Sequence, residues 1–193
     1  MTDQDAPPGW GYNPSSWPQR LPIVVVAAVG ALIAGYLTLY QAGVFPTVWD
    51  PVFGRGSEVV LNSWVATWSE RTFGVSDAAL GALGYFADAL TGVIGGARRW
   101  RTMPWLVVLF GLFVGPLGAV SILLVILQPF IGGWCLLCLV TAFISVVMIG
   151  PAMDEVLAGL QHLRREAAAG RSVWRAFWGL PPVPNTVAVA TGG

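Results

Sequence analysis

The sequence predicts an all-α integral membrane protein. It reads as a four-helix transmembrane bundle with a short outer amphipathic helix and an inner C-terminal amphipathic helix. Three observations predict this. Of 193 residues, 55% are hydrophobic and only 10% are charged, where soluble domains carry about 25% charged residues. The apolar residues gather in four runs near the roughly 20 residues that cross a hydrocarbon core. The ten basic residues, all arginine, concentrate at particular links, which is how orientation is encoded. The formal net charge is zero, so the chain offers no footprint for nucleic acid.

Residues 1–20 are polar, proline-rich and acidic at Asp3 and Asp5. They read as a disordered cytoplasmic N-terminus and not as a cleaved secretory signal, since the apolar run that follows is long enough to stay as an anchor. The transmembrane domain is expected over 21–150. Its first span runs from about Leu21 to Phe45 without a charge. An outer loop over 46–77 follows. Within it, Val60, Leu61, Trp64, Val65 and Trp68 recur at helical spacing and predict an amphipathic helix over Glu58 to Phe73. The second span, about Ala78 to Gly95, carries one acid, Asp88. The third runs from about Pro104 to Leu127, with Gly111, Gly115 and Gly118 suited to close helix contact and Pro116 expected to kink it. Gln128 and Pro129 leave almost no link before the fourth span, about Phe130 to Gly150.

Beyond it, Met153, Val156, Leu157, Leu160 and Leu163 make an apolar stripe. Residues 151–180 therefore read as a helix lying on the cytoplasmic surface. Pro181, Pro182 and Pro184 end any helix, and 181–193 reads as a disordered tail.

Arg98, Arg99 and Arg101 lie between spans two and three, and Arg164, Arg165, Arg171 and Arg175 follow span four. Those segments belong inside. Both termini are then cytoplasmic, and the start of span four faces outward. That side is oxidising at a bacterial plasma membrane, which suits a disulfide.

The only two cysteines, Cys135 and Cys138, open span four. At i and i+3 they share a helix face, and the positive helix end favours a thiolate. The same spacing serves half of a zinc site. With no second pair and the only histidine, His162, on the cytoplasmic side as a solvated residue, no metal site is expected. A redox pair and two small residues packed in a helix interface fit the spacing equally well.

Asp88 lies 11 residues beyond Asp77, about 16 Å down a helix axis. Asp77, Gly81, Gly84, Tyr85 and Asp88 share one stripe. They read as a polar cavity wall, or Asp88 as a protonated or arginine-paired packing residue. A transporter would need broken helices and further ion-binding groups, for which only Asp88 and Pro116 offer material.

The order of these pieces resembles the vitamin K epoxide reductase family. The resemblance covers about Trp49 to Gly150 with the first span before it. It is carried by Gly56-Ser57-Glu58 opening a short outer helix, by Ser76-Asp77 through Gly84-Tyr85, and by Trp134-Cys135-Leu136-Leu137-Cys138. The resemblance implies a membrane thiol oxidoreductase in which Cys138 attacks a quinone (menaquinone or ubiquinone) and Cys135 exchanges with an upstream thiol. It implies that Asp77 hydrogen-bonds a quinone oxygen, with Gly81, Tyr85 and Ala142 as further quinone-lining candidates. A thioredoxin-like partner on the outer side and membrane lipid are the implied partners. The chain departs from the family at two points. Its outer loop has no cysteine pair, and Ala142 stands where many members carry tyrosine. A non-catalytic membrane subunit with the family fold is the alternative.

Overall fold

The computed structural model describes residues 6–181. Among these it is all-helical. α1 spans Trp17–Gln41, α2 Gly56–Leu61, α3 Trp64–Phe73, α4 Asp77–Val93, α5 Arg99–Thr102, α6 Pro104–Ile131, α7 Leu136–Ala168 and α8 Val173–Phe177. Three of them, α1, α6 and α7, are long and apolar enough to cross a membrane, with mean hydropathy of 2.2, 2.5 and 2.3. This is a membrane protein.

α1 begins four residues before the expected Leu21. Pro18 occupies its first turn, where a missing N–H costs nothing. α4 starts where Ser76 accepts the Ala79 N–H at 3.3 Å, with Asp77 in its first turn favoured by the helix dipole. α4 runs antiparallel to α1. Asp77 at its start meets Gln41 at the end of α1 (2.7 Å), and the Gly92 carbonyl near its end accepts from Arg20 in the first turn of α1 (2.9 Å). The two helices approach closely because glycines face them. A Cβ at Gly30 would fall 2.8 Å from the Tyr85 ring, and one at Gly92 would fall 2.7 Å from Val24. The core between α1, α4, α6 and α7 holds Ile23, Ala27, Ala34, Tyr85, Phe110, Val114, Ile144 and Met148.

The far end of α4 is closed by two arginines. Helix C-termini leave carbonyls unbonded, and water is scarce at this depth. Arg20 donates to the carbonyls of Gly92, Ile94 and Gly95. Arg99 donates to those of Thr91, Gly92 and Ile94. Arg99 also pairs with Glu155 of α7, with side chains 0% and 2% exposed. Glu155 additionally accepts the Ser15 hydroxyl at 2.5 Å.

Four boundaries differ from the sequence expectation. The outer amphipathic helix is two helices, α2 and α3, broken at Asn62–Ser63. Asn62 turns back to bond the Glu58 carbonyl and the Tyr40 hydroxyl, both at 2.8 Å. α6 continues through Gln128 and Pro129 to Ile131, and Gly132 at φ +85° ends it. Pro129 has no N–H to give an i→i−4 bond, yet the helix runs through it. The helix expected as the fourth span, α7, starts at Leu136, not Phe130.

α7 then passes through Pro151 without ending. Its 33 residues measure about 50 Å, so the expected surface helix over 151–180 is instead the continuation of α7, followed by α8. The reason lies on the face opposite the apolar stripe. Ala152, Glu155, Ala158 and Gly159 are buried, with Gly159 lying against Trp100 and Val107. Met153, Leu157 and Leu160 face outward.

The N-terminal segment is ordered from residue 6, against the expectation of disorder over 1–20. Trp10 donates to Gln161 (2.9 Å), Tyr12 to Asp154 (2.5 Å) and Asn13 to the Ala97 carbonyl (2.8 Å). Arg165 in turn bonds the Pro8 carbonyl at 2.8 Å. Polar, proline-rich composition hides this docking because three of these four bonds need the α7 extension to be in place and the fourth needs the link after α4. The Asp154 hydrogen bond, burial and the Asp154 charge push the Tyr12 phenol up to about 12. Residues 1–5 and the expected tail beyond 181 lie outside the described residues.

Candidate functional site

Cys135 and Cys138 form a disulfide with a Cα–Cα distance of 5.2 Å. The expected placement of both on one helix face is corrected in detail. Cys135 is the extended residue that caps α7, and its sulfur accepts the Cys138 N–H at 3.2 Å. The pair straddles the positive end of the longest helix among the described residues, where a thiolate released from the disulfide meets the helix dipole and the Cys138 N–H that already points at Cys135 Sγ.

Two polar side chains fix that helix start. Gln128, 1% exposed, accepts the Cys135 N–H at 3.0 Å. Asp50 in the outer loop accepts the Leu136 N–H at 3.1 Å and the Ser57 hydroxyl at 2.5 Å. Its other oxygen takes the N–H groups of Val52 and Phe53 at 3.0 and 2.8 Å. Burial pushes the Asp50 carboxyl up. The bonds from Phe53, Ser57, Leu136 and Val52 together outweigh that and hold it below its ordinary value. One carboxylate thus ties the loop, α2 and the disulfide end of α7 together.

Gly56 completes the junction. A Cβ there would fall 2.6 Å from the Trp134 carbonyl oxygen, so the Gly-Ser step exists because α2 presses on the backbone beside Cys135. Phe53 stacks on Trp134 with centroids 6.3 Å apart. Beneath this cover Cys135 is 0% exposed.

Cys138 is half-buried and lines a cavity of about 750 Å³. α1, α3, α4, α6 and α7 all contribute walls, which are mostly apolar: Leu37, Trp64, Trp68, Phe113 and Leu117 among them. The polar wall groups are few: Ser69, Asp77, Tyr85, Ser121, Gln128 and Thr141. Both size and character match a site for a flat, largely apolar ligand oriented by a few polar atoms.

The expected residues divide as follows. Asp77, Gly81, Tyr85 and Cys138 line the cavity; Cys135 lies behind Cys138 and does not. Ala142 is buried in the bundle and is not a wall residue. Its neighbour Thr141 takes that place, because one residue turns the side chain by about 100° around a helix.

Tyr85 is 2% exposed. Its hydroxyl bonds the Thr141 carbonyl and Ser145 hydroxyl, both at 2.5 Å, and Ser145 reaches Ser121 at 3.1 Å. Asp88 lies deeper, 1% exposed, with both carboxyl oxygens unbonded. It makes no ion pair with the arginines, which excludes the paired reading of that residue. His162 is half-buried, edge-on to Trp100 at 5.7 Å and 3.9 Å from Glu166. It is therefore not the solvated residue expected.

Sequence reasoning missed Gln41, Asp50 and Gln128. Gln41 donates to both Asp77 (2.7 Å) and the Leu61 carbonyl (3.1 Å), which fixes the carboxyl at the cavity wall. Asp50 had a local signal, since Asp before proline favours a turn closed by its own side chain. Gln41 and Gln128 had none.

The family model for the Vitamin K epoxide reductase family matches residues 21–152. No curated protein and no solved structure matches the chain.

Proposed function

The chain belongs to the vitamin K epoxide reductase family, whose kind of function is membrane thiol oxidation, and from that premise we propose that it carries electrons from a thiol partner through Cys135 and Cys138 to a quinone. The observation that carries this reading is the position of the disulfide. Cys138 forms part of the wall of an apolar cavity, and Cys135 sits between Cys138 and the outer loop.

The steps balance without a further reagent. A partner thiolate attacks Cys135 Sγ, the S–S bond breaks, and the electron pair leaves on Cys138. The helix dipole and the α7 N–H groups stabilise that thiolate. The partner's second thiol displaces Cys135 and leaves the partner as a disulfide. Cys138 then faces the cavity as nucleophile, and re-formation of the Cys135–Cys138 bond releases two electrons. A bound quinone supplies the sink for these two electrons and two protons. Asp77, held by Gln41, orients an oxygen at one wall, and Tyr85, Ser121 and Thr141 offer hydrogen bonds at another. The net change is dithiol plus quinone to disulfide plus quinol.

With no loop cysteines in the chain, the partner reaches Cys135 directly, which requires the Trp134–Phe53 cover to part. The cytoplasmic placement of both termini, a bacterial plasma membrane and the four-span count belong to the same proposal. The remaining reading, a family-fold subunit without chemistry, rests on the absent loop pair and the burial of Cys135.

Thiol mass-tagging in native membranes separates the two. In a cycling enzyme the pair is oxidised with respiratory quinone present and accumulates reduced when quinone is depleted. A partner dithiol with its second thiol removed is expected to accumulate as a mixed disulfide on Cys135 of the oxidised pair, since nothing then displaces Cys135, and Cys135→Ser is expected to abolish quinone-dependent turnover. A pair whose state ignores quinone overturns the proposal.

A further inference from the structure

A second cavity, of about 800 Å³, lies at the opposite end of the molecule from the disulfide. It is formed by α5, the end of α7, the turn after it and α8. Its charged wall groups are Arg101, Arg171, Arg175 and Glu166, with His162 beside them. Arg171 is committed to Glu166 at 2.5 and 2.7 Å. Among the described residues neither Arg101 nor Arg175 has a carboxylate partner. Arg101 lies over the Trp100 ring at 5.8 Å, and Arg175 donates only to the Pro181 carbonyl, at 3.3 and 3.1 Å. Two guanidiniums therefore face one cavity without an anion.

The depth of the cavity is fixed by what adjoins it. Arg101 and Thr102 immediately precede α6, the most hydropathic of the three long helices. Trp105, in its first turn, lies 5.9 Å from Trp178, which meets Trp174 at 5.7 Å and Phe177 at 5.3 Å. Trp174 is 68% exposed and Trp178 44%. Exposed tryptophans clustered at the start of an apolar helix mark the headgroup level of a bilayer. The cavity opens at that level, where the anions at hand are lipid phosphates.

We infer that this cavity binds the phosphate group of an anionic phospholipid, with Arg101 and Arg175 as its ligands and the Trp105–Trp174–Trp178 cluster beside the glycerol and upper acyl chains. Guanidinium matches phosphate by forked hydrogen bonding. The aromatic cluster selects lipid over a free phosphate ion, which has no apolar part to cover it. The site is independent of the redox reading.

The test uses the purified full-length chain in detergent, offered phosphatidylglycerol and phosphatidylcholine at equal mole fraction and read by native mass spectrometry. Wild type is expected to retain phosphatidylglycerol roughly 25-fold over phosphatidylcholine, each of the two arginines contributing about fivefold. R101Q/R175Q is expected to lose the preference. R55Q/R164Q removes equal charge outside the cavity and is expected to keep it. If the first double variant fails to fold, R175Q alone carries the comparison. Equal retention of the two lipids by wild type, or equal losses in both double variants, overturns the site. Saturable displacement of the lipid by millimolar inorganic phosphate assigns the cavity to free phosphate and overturns the lipid.

Discussion

Asp77 reaches the cavity wall in a fixed pose because Gln41 holds it from α1. Gln41→Ala removes that bond and leaves a carboxyl free to rotate. The expected effect is a KM for quinone raised by about fivefold, roughly 1 kcal/mol of orienting hydrogen bond, with little change in kcat. Steady-state reduction of a soluble quinone analogue checks it. Asp50 makes a prediction in pH. Its folded carboxyl lies below the ordinary 3.8, so the unfolded or opened state binds the proton more readily. The stability it contributes is fully present above that ordinary value and is lost as pH falls through the lower folded one. Below about pH 4 the outer loop should loosen, seen as faster reduction of the disulfide by an added phosphine. Asp50→Asn should show the fast rate at neutral pH and a flat profile. These two cases also mark what a sequence discloses at this scale. Asp77 and Tyr85 are legible as cavity residues because their spacing along α4 is local, and Cys138 because its spacing from Cys135 is. Gln41 acts from one helix on another and Gln128 across the α6–α7 turn, and Ala142 is misplaced because a stripe at helical spacing leaves open which neighbouring position meets the cavity.

At the level of elements, apolar runs located every long helix, while ends were set by tertiary partners that a run does not display. α7 runs on past Pro151 because its buried face supplies Glu155 to Arg99. α4 stops cleanly because Arg20 and Arg99 take its last carbonyls. This arrangement is asymmetric, and the asymmetry is testable. Arg99→Gln leaves Glu155 buried with only the Ser15 hydroxyl and strips the Thr91 carbonyl of its guanidinium donor, while those of Gly92 and Ile94 keep Arg20. A cost of about 3–5 kcal/mol is expected, as for a broken buried pair. Glu155→Gln leaves the Arg99 guanidinium its carbonyls of Thr91, Gly92 and Ile94, and its cost should be clearly smaller. Thermal unfolding of the two variants in one detergent checks the order; equal losses would mean that the ion pair alone, and not the capping of α4, is what Arg99 supplies.

For the molecule as a whole, the number of crossings decides where the disulfide works. α4 has 17 residues, about 26 Å against a hydrocarbon core of about 30 Å, so length alone leaves its crossing open. It nonetheless runs between Gln41 at one end of α1 and Arg20 at the other. Leu83, Phe86 and Leu90 are exposed along it, as a lipid-facing side requires. The two arginines make so short a crossing workable, because they satisfy its final carbonyls inside the protein where a longer helix would reach water. Charge follows the same axis: Arg98, Arg99, Arg101, Arg164, Arg165, Arg171 and Arg175 gather at the end away from the disulfide. With the four crossings proposed above, both termini and the 94–98 link would lie on the cytoplasmic side and the disulfide outside. Reporters active in only one compartment check this when placed at each terminus, in the 43–55 loop and in the 94–98 link. The 43–55 loop is expected outside and the other three positions inside. If α4 did not cross, the 94–98 link would report outside with the loop, and α6 and α7 would carry the C-terminus outside as well. Cys135 and Cys138 would then open onto a reducing compartment, and their oxidation would depend wholly on the quinone.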